Sequence, residues 1–190
     1  MNRSRNLLGL ALAAIVAIPA AGADYVTKNA SGTTSCEVHF PADPQAQIRL
    51  VGAIATSDKA ASVLSIRTGT TPYVIGSSNA SGGTISVTTT NGLAADDVLV
   101  IVNADGTHTS AVIAAFLNTT NITLVATNGV VTLPGDEVYK MSAATTLKCA
   151  AATVNYQGEA IYSGNRGRPV RVVLDGTSAC SLDAITVRYD

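Results

Sequence analysis

Two histidines and three cysteines are the side chains of this sequence that could bind a metal or react covalently. Cys36 and His39 lie three positions apart, so a thiolate and an imidazole could reach one ion. A zinc site needs three or four ligands, and no second Cys or His pair follows at ligand spacing. Alternation along a strand would also place His39 on the face of Glu37, opposite Cys36. We therefore predict no metal at this pair.

Catalysis requires several titratable groups that converge, and the sequence offers few. It contains no Gly-x-Ser-x-Gly motif, and its glycine-rich stretch 76–83 lacks the lysine of a P-loop. His108 follows the turn residues Asp105-Gly106, as expected for an exposed histidine of a hairpin. We predict that the protein is not an enzyme and has no cofactor. Asp105 and His108 are instead candidates for contact with a partner.

Two of the cysteines are predicted to pair. Cys149 and Cys180 both lie in strand-like segments of the C-terminal part. A disulfide between them would stabilise the fold by about 3–4 kcal/mol by restricting the unfolded chain. Cys36 would then be an odd thiol, either buried or free for an intermolecular bond. Three buried, reduced cysteines are the other arrangement that fits the sequence.

Two acidic pairs, Asp96-Asp97 and Asp136-Glu137, occupy equivalent positions in two similar segments. Each segment has a β-type run, a Thr-Asn-Gly turn, an apolar loop, the acidic pair and a second β-type run. Carboxylates clustered on turns can bind Ca²⁺ in extracellular proteins, but each pair supplies only two where Ca²⁺ takes six to eight oxygens. We therefore favour ordinary turn residues and keep the four as weak calcium candidates.

Arg166 and Arg168 form the one local basic cluster. Two arginines without interleaved aromatic residues make a poor nucleic-acid site. As planar donors on a loop they could instead bind carboxylates or carbonyl oxygens of a neighbouring subunit. Without residues 1–23 the chain has 10 Lys and Arg against 13 Asp and Glu. This balance favours neither nucleic acid nor an anionic membrane as a partner.

Residues 1–23 have the three-part layout of a secretory signal. Arg3 and Arg5 precede an apolar run, and Ala21-Gly22-Ala23 supplies small residues for a peptidase. The run is short for a membrane span. We predict a signal-like helix that is cleaved before Asp24, leaving a secreted, extracellular or virion protein with no membrane contact. A retained helix that packs on a neighbouring subunit is the alternative.

The rest of the sequence predicts an all-β protein. Only 13% of the residues are charged, and the β-branched residues Thr and Val are abundant. Short apolar–polar alternations separated by turn residues are typical of a sandwich or barrel. We predict a jelly-roll-like β-sandwich from residues 24–76 plus 141–190, with a small β-barrel module inserted at 77–140. Strands are predicted at 47–55, 61–68, 73–75, 98–102, 107–114, 145–149, 160–162, 169–174 and 182–189.

Two stretches carry a resemblance to a known group of proteins. The segment TTNGLAADDVLVIVNADGTHTSAVI, with NITLVATNGVVTLPGDEVYKM, resembles the β-barrel modules of tailed-phage head-decoration and related virion proteins. The tail GRPVRVVLDGTSACSLDAITVRYD resembles the closing strands of β-sandwich virion proteins. The resemblance implies a structural protein that decorates a virion.

The predicted function is therefore structural. We expect a non-enzymatic subunit that assembles with itself or with other structural proteins, through strand edges and loops, in a virion, surface layer or filament. The predicted alternative is a secreted or periplasmic binding module for a glycan or a protein.

Overall fold

All regular elements of the described chain are β-strands. A computed structural model describes residues 24–77, 83–125 and 130–190, so the predicted leader lies outside the described residues. Across those ranges no helix is long and apolar enough to cross a membrane. The prediction of an all-β protein is confirmed. The strands are β1 (Asp24–Gly32), β2 (Ser35–Phe40), β3 (Ile48–Ser57), β4 (Val63–Ser77), β5 (Thr84–Val87), β6 (Val98–Val102), β7 (His108–Phe116), β8 (Asn121–Leu124), β9 (Glu137–Met141), β10 (Thr145–Lys148), β11 (Thr153–Ser163), β12 (Val170–Asp175) and β13 (Cys180–Tyr189).

Two antiparallel sheets share the larger core. The first has the strand order β1-β13-β3-β11, and the second contains β2, β12, the first half of β4 and β10. Buried and half-buried residues alternate along β2 and β12 because successive side chains of a strand point to opposite faces. The fully buried members of this core include Phe40, Ile48, Leu50, Leu64, Ile66, Val170, Val172, Leu174, Leu182, Ile185 and Val187.

The outward face of the first sheet is rich in hydroxyl groups. The side chains of Thr27 and Thr186 are hydrogen-bonded at 2.9 Å, as are those of Thr56 and Thr153. These pairs lie on adjacent strands and join them on the solvent side. Threonine therefore supplies both the β-branched backbone preference and a polar outer surface without charge.

The remaining strands close a circuit around a second core. The second half of β4 pairs with both β5 and β9, and the pairings continue from β5 through β8, β7 and β6 back to β9. We call these six strands the circuit. Its core shares no residue with that of the two sheets and includes Ile75, Ile85, Val87, Leu99, Ile101, Ile113, Ile122 and Val138.

β4 belongs to both the sandwich and the circuit as one strand, whereas two separate strands, at 61–68 and 73–75, are predicted from the sequence. The strand continues through Pro72, and its register with β9 shifts between Gly69 and Pro72. A proline is accommodated in a strand at such an irregularity. A Cβ atom on Gly69 would lie 2.9 Å from Pro169 and 3.0 Å from Tyr139, so the crossing requires glycine. The circuit therefore begins within β4, before the predicted boundary after residue 76.

The predicted turn chemistry is confirmed where the structure describes it. β6 and β7 form a hairpin whose turn has the Gly106 amide donating to the Asn103 carbonyl at 2.9 Å. Gly106 and Gly92 both have a positive φ, of 81° and 85°. The second Asn-Gly pair, at 128–129, lies outside the described residues.

Candidate functional site

The three cysteines are reduced and buried, and the closest thiol to Cys180 differs from the prediction. Gly32 pairs with Cys180 and lies beside Cys36, and Cys180 contributes to the raised pKa of the Cys36 thiol. The Cys149 thiol instead donates to main-chain oxygens of Ala55 and Ala152, at 3.7 and 3.4 Å. The structure thus contains no Cys149–Cys180 disulfide. The reason is topological, because the β1–β2 turn carries the chain across the sandwich and brings Cys36 to the beginning of β13.

The two acidic turns have the same construction. The Asp97 amide donates to the Ala94 carbonyl at 3.2 Å, and its carboxylate accepts the Ala94 amide at 2.7 Å. Asp136 repeats this with Leu133, at 3.1 and 2.7 Å. The residue before each aspartate has a positive φ, 66° at Asp96 and 95° at Gly135. The aspartates therefore close tight turns with their own carboxylates.

These turns do not form a joint calcium site. β6 and β9 run antiparallel, so the turns that precede them lie at opposite ends of the pair. Asp97 also forms an ion pair with Lys140 at 2.8 Å, and Glu137 accepts the hydroxyl of Tyr139. Within residues 24–77, 83–125 and 130–190, no group of three or more His, Cys, Asp or Glu residues is arranged to hold a metal.

Arg166 and Arg168 line a cleft of about 350 Å³ between the sandwich and the circuit. The cleft is also lined by Pro72 and Glu137 of the circuit. Arg166 donates to the Gln45 carbonyl at 2.7 Å, which anchors one side of its loop. The structure thus places the predicted arginine pair and Glu137 in the same cleft. A carboxylate within the cleft already offsets part of the positive charge, so the arginines are not an open anion site.

Asp105 and His108, which lie three positions apart in the sequence, have separate roles. Asp105 accepts the amide and the hydroxyl of Thr107, at 2.9 and 2.6 Å, and these bonds lower the pKa of its carboxyl group. His108 is half-buried, in contrast to the predicted exposure, because its ring stacks on His39 with 5.4 Å between centroids. β2 supplies His39 and β7 supplies His108, so the stack joins the sandwich to the circuit.

Charged groups surround this stack from the sandwich side. His39 Nε2 lies 3.1 Å from Glu37, which also forms an ion pair with Arg171, and the Lys28 ammonium donates to the His39 carbonyl at 2.6 Å. Burial raises the pKa of Glu37, but the hydrogen bond with His39 and the charge of Arg171 outweigh it and lower that pKa to about 2. For His108, burial and then the charges of His39 and Lys28 lower the pKa.

The stack predicts a loss of stability in weak acid. The pKa of His108 lies below its ordinary value of 6.5 in the folded protein, so the unfolded chain binds a proton first. The free energy of unfolding should therefore fall as the pH drops below about 6.5. Glu37 stays ionised in the folded protein over this range and adds to the slope only near pH 5, where the unfolded side chain begins to bind a proton. Urea unfolding between pH 7.5 and 5.0 measures the effect.

His108→Gln is the matched control because it keeps a polar side chain of similar size and cannot titrate. The variant should lose most of the slope between pH 7.5 and 5.0. An identical slope in the variant and the wild type would show that other groups dominate and would contradict this account of the stack.

The most distinctive surface feature is a lack of charge along two long segments of the circuit. The segments 68–95 and 109–135 contain no Asp, Glu, Lys or Arg, and we call them the neutral segments. They include β5, β8 and nearly all of β7. Among the described residues, six of the seven strongly exposed large apolar side chains lie on these segments: Val74, Phe116, Leu117, Val125, Val131 and Leu133. The seventh, Tyr25, is on β1. Exposed apolar groups on segments without charged residues are typical of protein interfaces. Charged residues of other segments border them, because Val131 and Leu133 line a cleft with Asp105 and Asp136, and Val74 pairs with Glu137.

These residues were not among the predicted contact residues, although the sequence contains a signal for them. The overall charge content does not reveal the charge-free runs, which are visible only in the distribution of charge along the chain. Their significance depends on exposure, because an uncharged run in a buried strand would be ordinary core. Leu117 and Leu133 are 65% and 55% exposed, which alternation alone did not predict.

Comparison with known proteins gives weak resemblance at the level of structure. No protein-family model matches this chain, and no curated protein sequence matches it. Among solved structures, it is similar to VP17, a capsid protein of bacteriophage P23-77, at 12% sequence identity and a TM-score of 0.22. The match covers 87% of this chain and 99% of the capsid protein. Similarity of this degree does not bear on function.

Proposed function

We propose that this protein is a non-enzymatic structural subunit that assembles with copies of itself or with other structural proteins, without nucleic acid or membrane. The assembly would be a virion, a surface layer or an extracellular filament. The contacts would be made by the neutral segments of the circuit. The leader-type sequence at residues 1–23 supports a location outside the cytoplasm.

One observation carries this proposal: the neutral segments expose apolar side chains over a long part of the chain that has no charged residue. A freely soluble monomer normally has charges of both signs on its surface, which keep it from associating. Interface cores are depleted in charged residues because each charge must be dehydrated on binding. A surface of this kind is costly to keep in water and favourable to bury.

The strand order supports a scaffold suited to that role. In the described part of the chain, the sandwich has eight strands, which in chain order are β1, β2, β3, β4, β10, β11, β12 and β13. Numbered one to eight in that order, the strands of the first sheet are 1-8-3-6 and those of the second sheet are 2-7-4-5. This order supports the proposal of a jelly roll, an architecture of viral capsid and lectin domains. The circuit, as an inserted barrel module, would then connect the fourth and fifth strands. A rigid sandwich would present the module at one loop.

The sheet edges are less suited to assembly than the circuit, although edge contacts were also predicted. Lys28 is on the inward face of the edge strand β1, with its ammonium 5.6 Å from the Phe40 ring centroid. On the opposite edge, the pairing of β11 with β3 is interrupted between Gln157 and Tyr162. Inward-pointing lysines and bulges are devices that prevent strands from adding to an edge.

Glycan binding is not favoured by any feature of the described surface. Carbohydrate sites generally need an exposed aromatic ring, and the chain has no Trp. The hydroxyls of Tyr73, Tyr156 and Tyr189 each donate to a main-chain carbonyl, and Tyr139 is buried. Tyr25 and Phe116 are the strongly exposed aromatic rings of the described residues, and they lie on different units, so the binding-module alternative has single rings and no shared stacking platform.

A charge placed on a neutral segment should block assembly. Leu117→Lys and Leu133→Lys introduce an ammonium at two separate exposed apolar positions. At the position that is buried on association, the substitution should raise the dissociation constant about 30-fold or more, since removal of a central contact costs about 2 kcal/mol. Sedimentation velocity over a concentration series and electron microscopy of the wild type measure the effect.

Tyr25→Lys is the matched control because Tyr25 is equally exposed but lies on the sandwich. It should leave association unchanged. A wild-type protein that stays monomeric at high concentration and forms no particles with virion or surface-layer components would contradict the proposed function. Association that is sensitive to Tyr25→Lys alone would move the contact to the sandwich.

A further inference from the structure

Two thiols that the proposed function does not use meet between the two sheets. Cys36 is near the beginning of β2 in one sheet, and Cys180 begins β13 in the other. Both side chains are 4% exposed and belong to the same buried cluster between the sheets. Cys149, the third thiol, donates to main-chain oxygens instead. The pair is therefore separate from Cys149 in both position and bonding.

The backbone independently places the two cysteines next to each other. Gly32, the last residue of β1, is the antiparallel partner of Cys180. A Cβ atom built on Gly32 would lie 3.6 Å from the Cβ of Cys36. Cys36 thus lies beside the residue directly opposite Cys180. Disulfides form between residues at such neighbouring positions, where Cα atoms are roughly 4–7 Å apart.

We propose that Cys36 and Cys180 are a redox-active pair that forms a disulfide between the two sheets of the sandwich, while Cys149 remains a thiol. The oxidant is a low-molecular-weight or protein disulfide. Thiol–disulfide exchange first makes a mixed disulfide with one sulfur of the oxidant and releases its other sulfur as a thiol. The second cysteine then attacks that bond. The two cysteines lose two protons and two electrons, and the oxidant becomes two thiols.

The surroundings indicate which cysteine reacts first. Cys180 lines a surface cavity of about 370 Å³ together with Thr56, Asp58 and Ser181, and this cavity is the route by which an oxidant would reach the largely buried side chain. Burial, followed by the hydrogen bond and charge of Cys180, raises the pKa of Cys36 well above its ordinary value. A thiol with a raised pKa forms little thiolate and reacts slowly. Cys180 therefore accepts the mixed disulfide, and Cys36 completes the bond.

Such a bond would enclose the whole circuit, since residues 36–180 contain every strand of it. Cross-links that close long loops restrict the unfolded chain most. The oxidised protein should therefore be more stable than the reduced one, with a thermal midpoint about 5–15 °C higher. The proposal does not depend on assembly and can be tested on protein of any oligomeric state.

The test equilibrates the full chain in buffers of reduced and oxidised glutathione, then alkylates free thiols and maps the digested peptides by mass spectrometry. In the oxidising buffer we expect a Cys36–Cys180 cross-linked peptide and alkylation at Cys149 only. The thermal midpoint should rise with oxidation and fall again when dithiothreitol is added.

Cys149→Ser and Cys180→Ser are the paired variants. The first should keep both the cross-link and the redox-dependent shift of the midpoint, and the second should lose both. If Cys180→Ser does not fold, the comparison of oxidised and reduced Cys149→Ser still tests the bond. Three alkylated cysteines in the oxidising buffer, or a cross-link that includes Cys149, would overturn the proposal.

Discussion

Ile113→Ala should lower the free energy of unfolding of the circuit by about 2–5 kcal/mol. Ile113 is fully buried on β7, in the core that is enclosed by the six strands. The substitution removes apolar contacts and leaves a cavity that paired strands on both sides of β7 cannot fill. Hydrogen exchange measured by mass spectrometry should show lost protection in β5 to β9 and retained protection in β3 and β13.

Leu50→Ala is the counterpart in the sandwich core, since Leu50 is also fully buried. We expect a similar loss of stability, but with protection lost in β3, β12 and β13. The contrast arises because the two cores have no residue in common, so a cavity in one removes no contact from the other. Equal loss of protection over the entire chain in both variants would show one cooperative unit and would contradict an inserted module.

Asp136→Ala should cost about 2–4 kcal/mol, although Asp136 is on a turn. Its side chain is 4% exposed, and its two oxygens accept the amides of Ala104 at 3.2 Å and Leu133 at 2.7 Å. Hydrogen bonds to an ionised group contribute about 1.5–3 kcal/mol each, and their loss leaves amides without a partner. Asp136 also joins the β6–β7 turn to the segment before β9. Chemical denaturation measures the loss.

Asp136→Asn keeps one acceptor oxygen and should recover part of the stability. Asp97→Ala is the matched change at the equivalent turn and should cost less, because Asp97 is more exposed and its carboxylate caps one amide, that of Ala94. Calcium chelation should leave all these proteins unchanged. A wild-type protein that loses stability on addition of EDTA, together with an Asp136→Ala variant that does not, would restore the calcium interpretation.

Several features could be predicted because they depend on neighbours in the sequence. The alternation around Glu37 and His39 placed both on one face of β2, where the structure has them. The turn at Asn103–Gly106 and its flanking strands followed from the positive φ that glycine accommodates. β1 was not predicted, because its alternation of polar residues with Val26, Lys28 and Ala30 carries a weak hydrophobic signal.

Other features require knowledge of which strands become adjacent. His39 and His108 stack although they are far apart in the sequence. The neighbouring turn at Asp105-Gly106 had predicted an exposed His108. Cys180 meets Cys36 rather than Cys149 because a sheet crossing at residues 33–34 sets the neighbours. Asp136 resembles any acidic turn residue until the fold brings the Ala104 amide to it.

For this protein, composition and periodicity established strands, tight turns and an uncharged outer surface, because each of these depends on a side chain's own chemistry and on a repeat of two residues. The closure of β4 through β9 into a circuit, the pairing of thiols and the burial of Asp136 came from folding. Strand partners are selected by the summed burial of many distant side chains. No short stretch of sequence contains that sum.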